Sequence, residues 1–119
     1  MQTLRAGDLS IAPQLHPTCL RLDWQGRSGA RDPSTALVPY FEEACRAAAA
    51  QHASIEMHFE DLEYFNSSTI TALIQGIQLA RAAGVPLVLI YRESLRWQRL
   101  SFDALRMFIV GDELEVRAV

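Results

Sequence analysis

The chain has 119 residues, half of them hydrophobic, and a formal net charge of −3, which suffices for one core of ordinary domain size. The acidic balance argues against a nucleic-acid binder, whose phosphate contacts require a basic face. No apolar run reaches the roughly 18 residues of a membrane span and "MQTLRAGDLS" lacks the order of a signal peptide, so a cytoplasmic location is expected.

"LSIAP" and "CLRLDWQG" alternate apolar and polar positions around the turn-rich "HPT" and read as a hairpin. "RSGARDPST" is a loop. It leads into "ALVPYFEEACRAAAAQH", a helix with Leu37, Phe41, Ala44 and Ala48 on one face; Pro39 fits it only in the first turn. "SIEMHFE" turns Ile55, Met57 and Phe59 inward, and "VPLVLIY" is a nearly continuous apolar run, expected to be a central strand. Between them a helix from about Ser68 to Ala83 carries Ile70, Leu73, Ile74 and Ile77 on one face and stops at Gly84. A third helix, about Ser94–Phe108, and a terminal "LEVRAV" strand follow. The alternation predicts a single α/β domain over residues 1–119, with a four- to five-stranded mixed sheet and about three helices.

The stretch Asn66-Ser67-Ser68-Thr69 stands where a strand's carboxyl end turns into a helix, the place where open α/β sheets put their functional groups. One helix start needs one capping residue. Four small polar side chains exceed that need, and Thr69, Ile70 and Thr71 occupy the positions where a capping box would want Glu or Gln. A cap, a catalytic serine and a switch are the three readings.

Nucleophilic catalysis finds little support. There is no G-x-S-x-G elbow and no glycine-rich phosphate loop. His16 falls in a turn, His52 at a helix end, and His58 on the strand face opposite Ile55, Met57 and Phe59. Cys19 and Cys45 have no metal-ligand spacing and read as small buried hydrophobes. No catalytic residue, metal site or cofactor is expected, and the chain reads as a non-enzyme.

"FEDLEYFNSSTI" resembles the segment of STAS domains, the anti-sigma-factor antagonist family, in which an Asp-Ser-Ser-Gly-Leu motif leads into the second helix. The resemblance assigns Asn66 to the Asp, Ser67 to the phosphoacceptor, Ser68 to the second Ser, and Thr69 and Ile70 to the Gly-Leu pair. Asp32-Pro33-Ser34-Thr35-Ala36 is similar to the family's Asp-x-x-Thr-Ala start of helix one, and "SLRWQRLSFDAL" to its third helix, so the likeness covers about residues 8–117. Two positions depart from the pattern, Asn66 for an acidic residue and Thr69 for Gly. The variant Tyr64-Phe65-Asn66-Ser67-Ser68-Thr69-Ile70 looks closer to the SiaC-type STAS-like regulators.

The resemblance implies a phosphorylation-switched protein-binding regulator. Its kinase would be a serine/threonine kinase of the anti-sigma type, opposed by a matching phosphatase. In the SiaC-type group the unphosphorylated protein binds and activates a diguanylate cyclase. Ser67 is the expected phosphorylated residue, with Ser68 and Thr69 behind it. Asp32, Ser34, Thr35, Asn66, Ser67, Ser68 and Thr69 would face the partner. A phosphate on Ser67 would bring about −1.5 to −2 charges to a helix N-terminus, which favours an anion by about 0.3–2 kcal/mol. The fold should survive; a partner packed there would have to desolvate a dianion.

All eleven basic side chains are arginines, planar forks suited to carboxylate or phosphate. On the third helix Trp97, Leu100, Ala104, Met107 and Phe108 read as the core stripe. Arg92, Arg96, Arg99 and Arg106 line a second face, and Leu95, Phe102, Leu105 and Ile109 a third. Both apolar faces cannot easily point at one sheet. The Arg stripe reads either as a solvated face, with the extra apolar residues flanking the core, or as a partner or dimer surface; on the second reading Arg92 and Arg96 join the expected partner-binding residues, for another protein or for a second copy in a homodimer.

Overall fold

The computed structural model describes residues 1–108 and 113–119. Among them the chain runs through β1 (Leu4–Ala6), β2 (Leu9–Leu15), β3 (Cys19–Ser28), α1 (Ser34–Ala50), β4 (Ser54–His58), β5 (Leu62–Phe65), α2 (Ser67–Ala83), β6 (Leu87–Tyr91), α3 (Arg96–Leu105) and β7 (Leu114–Ala118). A 3-10 turn, Arg106–Phe108, extends α3. The strands form one mixed sheet in the order β1-β2-β3-β4-β6-β7, with β5 paired to β3 beyond the end of β4. β1, β2 and β3 are antiparallel; every later pairing is parallel. The helices therefore all begin after carboxyl ends of parallel strands.

The mixed sheet and three helices are as the sequence predicts, but the sheet has seven strands rather than four or five. The additional ones, β1 and β5, span three and four residues, too few to print a period. β5 reaches β3 past a register shift between Gly26 and Arg27. Gly26 adopts φ 87° there, and the Asp8 carbonyl occupies the place of a Cβ, so only glycine fits. β6 is an interior strand between β4 and β7, one place from the edge.

Strand alternation sorts the sheet's two faces. Leu20, Leu22, Trp24, Ile55, Met57, Leu87 and Leu89 enter the buried cluster with the helices. The alternate positions Arg21, Asp23, Glu56 and His58 carry a half-buried polar lattice. Trp24 is wholly buried between Phe41 of α1 and Phe59 after β4, at ring distances of 6.1 and 4.9 Å. Phe59 and Phe65 continue the aromatic seam to Phe102 of α3.

α1 buries the expected Leu37, Phe41, Ala44 and Ala48, but it starts at Ser34, which places Pro39 beyond the first turn. Pro39 and Thr35, whose carbonyl the missing N–H would have served, are both exposed, so water can take the bond. α2 ends at Gly84 in the left-handed conformation, φ 67°. Its buried face is Thr69, Ala72, Leu73, Gly76, Ile77 and Ala80, with Ile70 and Ile74 flanking. No helix among the described residues is long and apolar enough to cross a membrane.

Candidate partner-binding site

β5 ends at Phe65, and Asn66 turns the chain into α2 with φ −92° and ψ 176°, the extended geometry of an N-cap. Its Oδ1 accepts from the Thr69 amide at 2.9 Å and from the Thr69 hydroxyl at 2.8 Å. Its Nδ2 donates to the Ala30 carbonyl at 2.8 Å, and its amide donates to the Ser28 carbonyl at 3.0 Å. One side chain therefore caps the helix and fastens it to the loop after β3.

Thr69 does not stand with the other hydroxyls. It is completely buried, and its Oγ1 lies 2.7 Å from the buried Ser28 Oγ. Its expected place on the partner-facing surface, and among the phosphate acceptors, is corrected by this packing: the hydroxyl is an internal strut. Ser67 is exposed and Ser68 half-buried, and among the described residues neither hydroxyl hydrogen-bonds to another protein group. Both lie in the first turn, where backbone amides have no intrahelical partner.

The segment Asp32–Thr35 lies across the same loop. Thr35 Oγ1 donates to Asp32 Oδ2 at 2.9 Å, whereas Ser34 turns to α2 and donates to Gln75 Oε1 at 2.9 Å. Asp32 and Thr35 line a cleft of about 660 Å³, together with Asp8, Arg27, Ser28 and Tyr64. The Arg27 guanidinium covers the Tyr64 ring at 5.0 Å. Sequence reasoning missed this cleft, because the β1–β2 turn, the end of β3 and the start of α1 assemble it from distant stretches.

This architecture matches a known one. The fold is similar to that of apo-SiaC from Pseudomonas aeruginosa, a crystal structure aligned over 99% of this chain and 100% of that one, with a TM-score of 0.65 and 16% identity. No protein-family model matches the sequence, and no curated protein matches it either. At that identity the likeness is one of fold.

Beyond β6 the SiaC-like fold places α3, and here the expected core stripe is corrected. The core takes Gln98, Phe102 and Leu105, while Leu100, Ala104 and Met107 point to solvent and Trp97 is half-buried. Phe108's side chain, and Ile109, lie outside the described residues. Hydrogen bonding decides the orientation: Gln98 Nε2 donates to the carbonyls of Phe59 and Leu62, and its Oε1 accepts from the Arg92 amide at 2.8 Å. The Phe59 carbonyl lies in the turn after β4, the Leu62 carbonyl at the start of β5 and the Arg92 amide just past β6, so a glutamine that bonds all three outranks an apolar side chain at this place. Arg92 is drawn to Asp61 (3.7 Å) and the Glu60 carbonyl (3.3 Å), whereas Arg96 and Arg99 are exposed and have no partner among the described residues. Trp97 meets Phe65 edge-on at 5.2 Å, which sets the first turn of α3 against the residue before Asn66.

On the sheet's other face Cys19 is not an inert hydrophobe. It is half-buried, and its thiol donates to Glu56 Oε2 at 2.9 Å. Burial, then the Glu56 hydrogen bond and charge, push that thiol up to about 11, the opposite of nucleophile activation. Burial raises Cys45 as well. The bond from Cys19 is the main reason that Glu56 is held below the usual carboxylate range, with His58 and Arg117 adding to it. Among the described residues no group of three or more His, Cys, Asp or Glu is placed to hold a metal ion.

Proposed function

We propose that this chain is a SiaC-like regulatory protein, a STAS-like binding module of the cytoplasm, which acts by binding a diguanylate cyclase and activating it. Phosphorylation of Ser67 by a serine/threonine kinase of the anti-sigma type releases the cyclase, and a matching phosphatase restores binding. The observation that carries this reading is the division of labour at the start of α2, within a fold similar to SiaC along its whole length. Asn66 does the capping and Thr69 the internal bonding, which leaves Ser67 exposed with an unengaged hydroxyl.

The γ-phosphoryl group of ATP transfers to Ser67 Oγ as its bond to the β,γ-bridging oxygen breaks and ADP leaves, and the serine proton goes to solvent or to a base of the kinase. The dianion gains from the free amides and dipole of the helix start by about 0.3–2 kcal/mol, so α2 persists. The partner side pays instead, because packing against this turn desolvates the phosphate. Asp32, Ser34 and Thr35, with Asn66, Ser67 and Ser68, form the central contact, and Arg92 and Arg96 extend it beside α3.

The match of Asp32–Ala36 and Asn66–Ile70 to the STAS pattern supports a second reading, an anti-sigma-factor antagonist whose partner is the kinase itself. Cyclic di-GMP production by a purified cyclase partner, measured with the unmodified, the stoichiometrically phosphorylated and the Ser67→Ala protein, tests the first. Activation by the unmodified and alanine forms and none by the phosphorylated form is expected. Equal activation by all three ends the switch; capture of an ATP-binding kinase without any effect on the cyclase moves the assignment to the second reading.

A further inference from the structure

We infer that the outward face of α3 is a docking surface for an acidic amphipathic helix of a protein partner, a contact additional to the Ser67 turn. This rests on the reading of the chain as a protein-binding module and specifies the chemistry of one partner segment. Leu100 is 55% and Met107 83% exposed; among the described residues the other exposed large apolar side chains are Met1, Leu15, Tyr64 and Val119, none of them on α3 or its 3-10 turn. They lie seven residues apart, two helical turns, with exposed Ala104 between them, so the patch is a stripe along the helix axis. A partner helix laid along that stripe fits its length and small width. Methionine adds an adaptable surface.

Charge selects the occupant. The α3 segment with its 3-10 turn carries Arg96, Arg99 and Arg106 against the single Asp103, a cationic strip on a chain of net charge −3. Arg106 is held by the Tyr91 hydroxyl at 3.1 Å and lies 3.6 Å from Asp103. Arg96 and Arg99, which border Leu100 on one side of the helix, are the two forks of this segment without a partner among the described residues, and guanidinium forks are matched by carboxylates. A second copy of this chain laid strip to strip would offer Arg96 and Arg99 only the single Asp103 of the same strip, too few carboxylates to match its cations. An anionic membrane surface would meet Asp103 on the same strip and Asp61 beside Arg92, and the strip's apolar side is only two or three residues deep. The contact of Trp97 with the buried Phe65 packs the first turn of α3 against the strand end that leads into the Ser67 turn.

The probe is a synthetic helical peptide with leucines at three- to four-residue spacing flanked by glutamates, titrated into the isotope-labelled full chain and followed by amide resonances. Expected are shifts centred on residues 96–107 that weaken with added salt. Arg96→Glu combined with Arg99→Glu should weaken binding at least about tenfold, or about 1.4 kcal/mol, and Leu100→Ser should weaken it independently, with the dispersed spectrum of a folded chain retained in each. The lysine-for-glutamate version of the peptide should not bind. Equal binding of the two peptides, shifts centred elsewhere, no binding, self-association lost on Leu100→Ser, or cosedimentation with phosphatidylglycerol vesicles in place of peptide binding would each overturn the inference. Failure of the switch shows separately, as partner affinity that ignores phosphate on Ser67.

Discussion

The hydroxyl of Thr69 stands 2.8 Å from Oδ1 of Asn66, the same oxygen that receives the Thr69 amide at 2.9 Å. Asn66 Oδ1 is a nearer acceptor for that hydroxyl than the Ser28 carbonyl at 3.3 Å, and with the proton directed to Asn66 the Ser28 hydroxyl at 2.7 Å is the donor to Thr69 Oγ1. A relay Ser28 to Thr69 to Asn66 thereby joins the end of β3 to the start of α2, and it occupies the residue that departs from the STAS glycine.

Thr69→Val keeps the shape of the side chain but removes the relay's middle member. The buried Ser28 hydroxyl then has no acceptor in the relay, at a cost of about 1–3 kcal/mol. Asn66→Ala, which deletes the cap, should cost about 0.5–2 kcal/mol. Asn66→Asp retains the cap oxygens and adds a charge favoured at a helix start, so it should lose less than alanine. Urea denaturation midpoints rank the three, and a Thr69→Val protein as stable as the parent would refute the relay.

Gly76 faces the ring of Phe41 where α1 and α2 pack together. A Cβ there would come within 2.8 Å of Phe41 Cδ2, and Phe41 is 1% exposed and backed by Trp24. Alanine is the better helix former by about 0.8–1 kcal/mol, so propensity alone predicts a more stable protein. Overpacking a filled core costs about 1–3 kcal/mol and should win. Thermal unfolding of Gly76→Ala at a lower temperature than the parent is the expected result; a higher one would mean that the helices move apart freely.

What the sequence made legible follows the strength of local signals. α2 carries a long apolar period and a terminal glycine, and β4 and β6 alternate or run apolar as their neighbours require. The position of Ser67 was readable for the same reason, since the buried face of α2 fixes which way its first turn points. α3 was turned the wrong way because hydropathy ranks Leu100 and Met107 above Gln98, whereas the fold places the carbonyls of Phe59 and Leu62 under that helix. Such demand is set by distant backbone and leaves no periodic trace. The relay through Ser28 and the cleft at Asp32 escaped notice likewise, each joining residues more than twenty positions apart.

Gln98→Met tests that account of α3. Methionine fills the same volume but gives nothing to the Leu62 carbonyl or the Arg92 amide, both of which Gln98 now serves, while the Phe59 carbonyl keeps the Leu62 amide at 3.0 Å. At about 1–3 kcal/mol for each buried group left unpaired, a loss of at least about 2 kcal/mol is expected even with some water entering. Amide exchange in residues 92–105 should accelerate before the rest of the domain. Leu100→Gln, on the outward face, should change stability by less than about 0.5 kcal/mol. Comparable losses for both substitutions would put the core on the wrong side of the helix.

The pair Cys19 and Glu56 makes stability depend on pH at both ends. The folded thiol is pushed up to about 11, against about 8.5 for an unfolded cysteine. The folded state thus holds the thiol proton more tightly, so this contribution is complete below about pH 8.5 and is lost as pH rises through about 11. Glu56 shifts the opposite way, lowered chiefly by the same hydrogen bond, so its contribution is present above the usual carboxylate range and is lost on acidification. Cys19→Ala removes both halves at once: the alkaline decline should flatten, and the acid limb should become shallower, because without its thiol donor the folded Glu56 carboxyl is lowered less and less stability is left to lose on acidification. Cys45, also raised by burial, adds an alkaline slope of its own but touches no carboxylate through its thiol, so Cys45→Ala should alter the alkaline limb alone. Urea midpoints collected across the pH range for the parent and both variants separate the contributions. An acid limb identical in Cys19→Ala and the parent would show that the 2.9 Å contact to Glu56 carries no free energy.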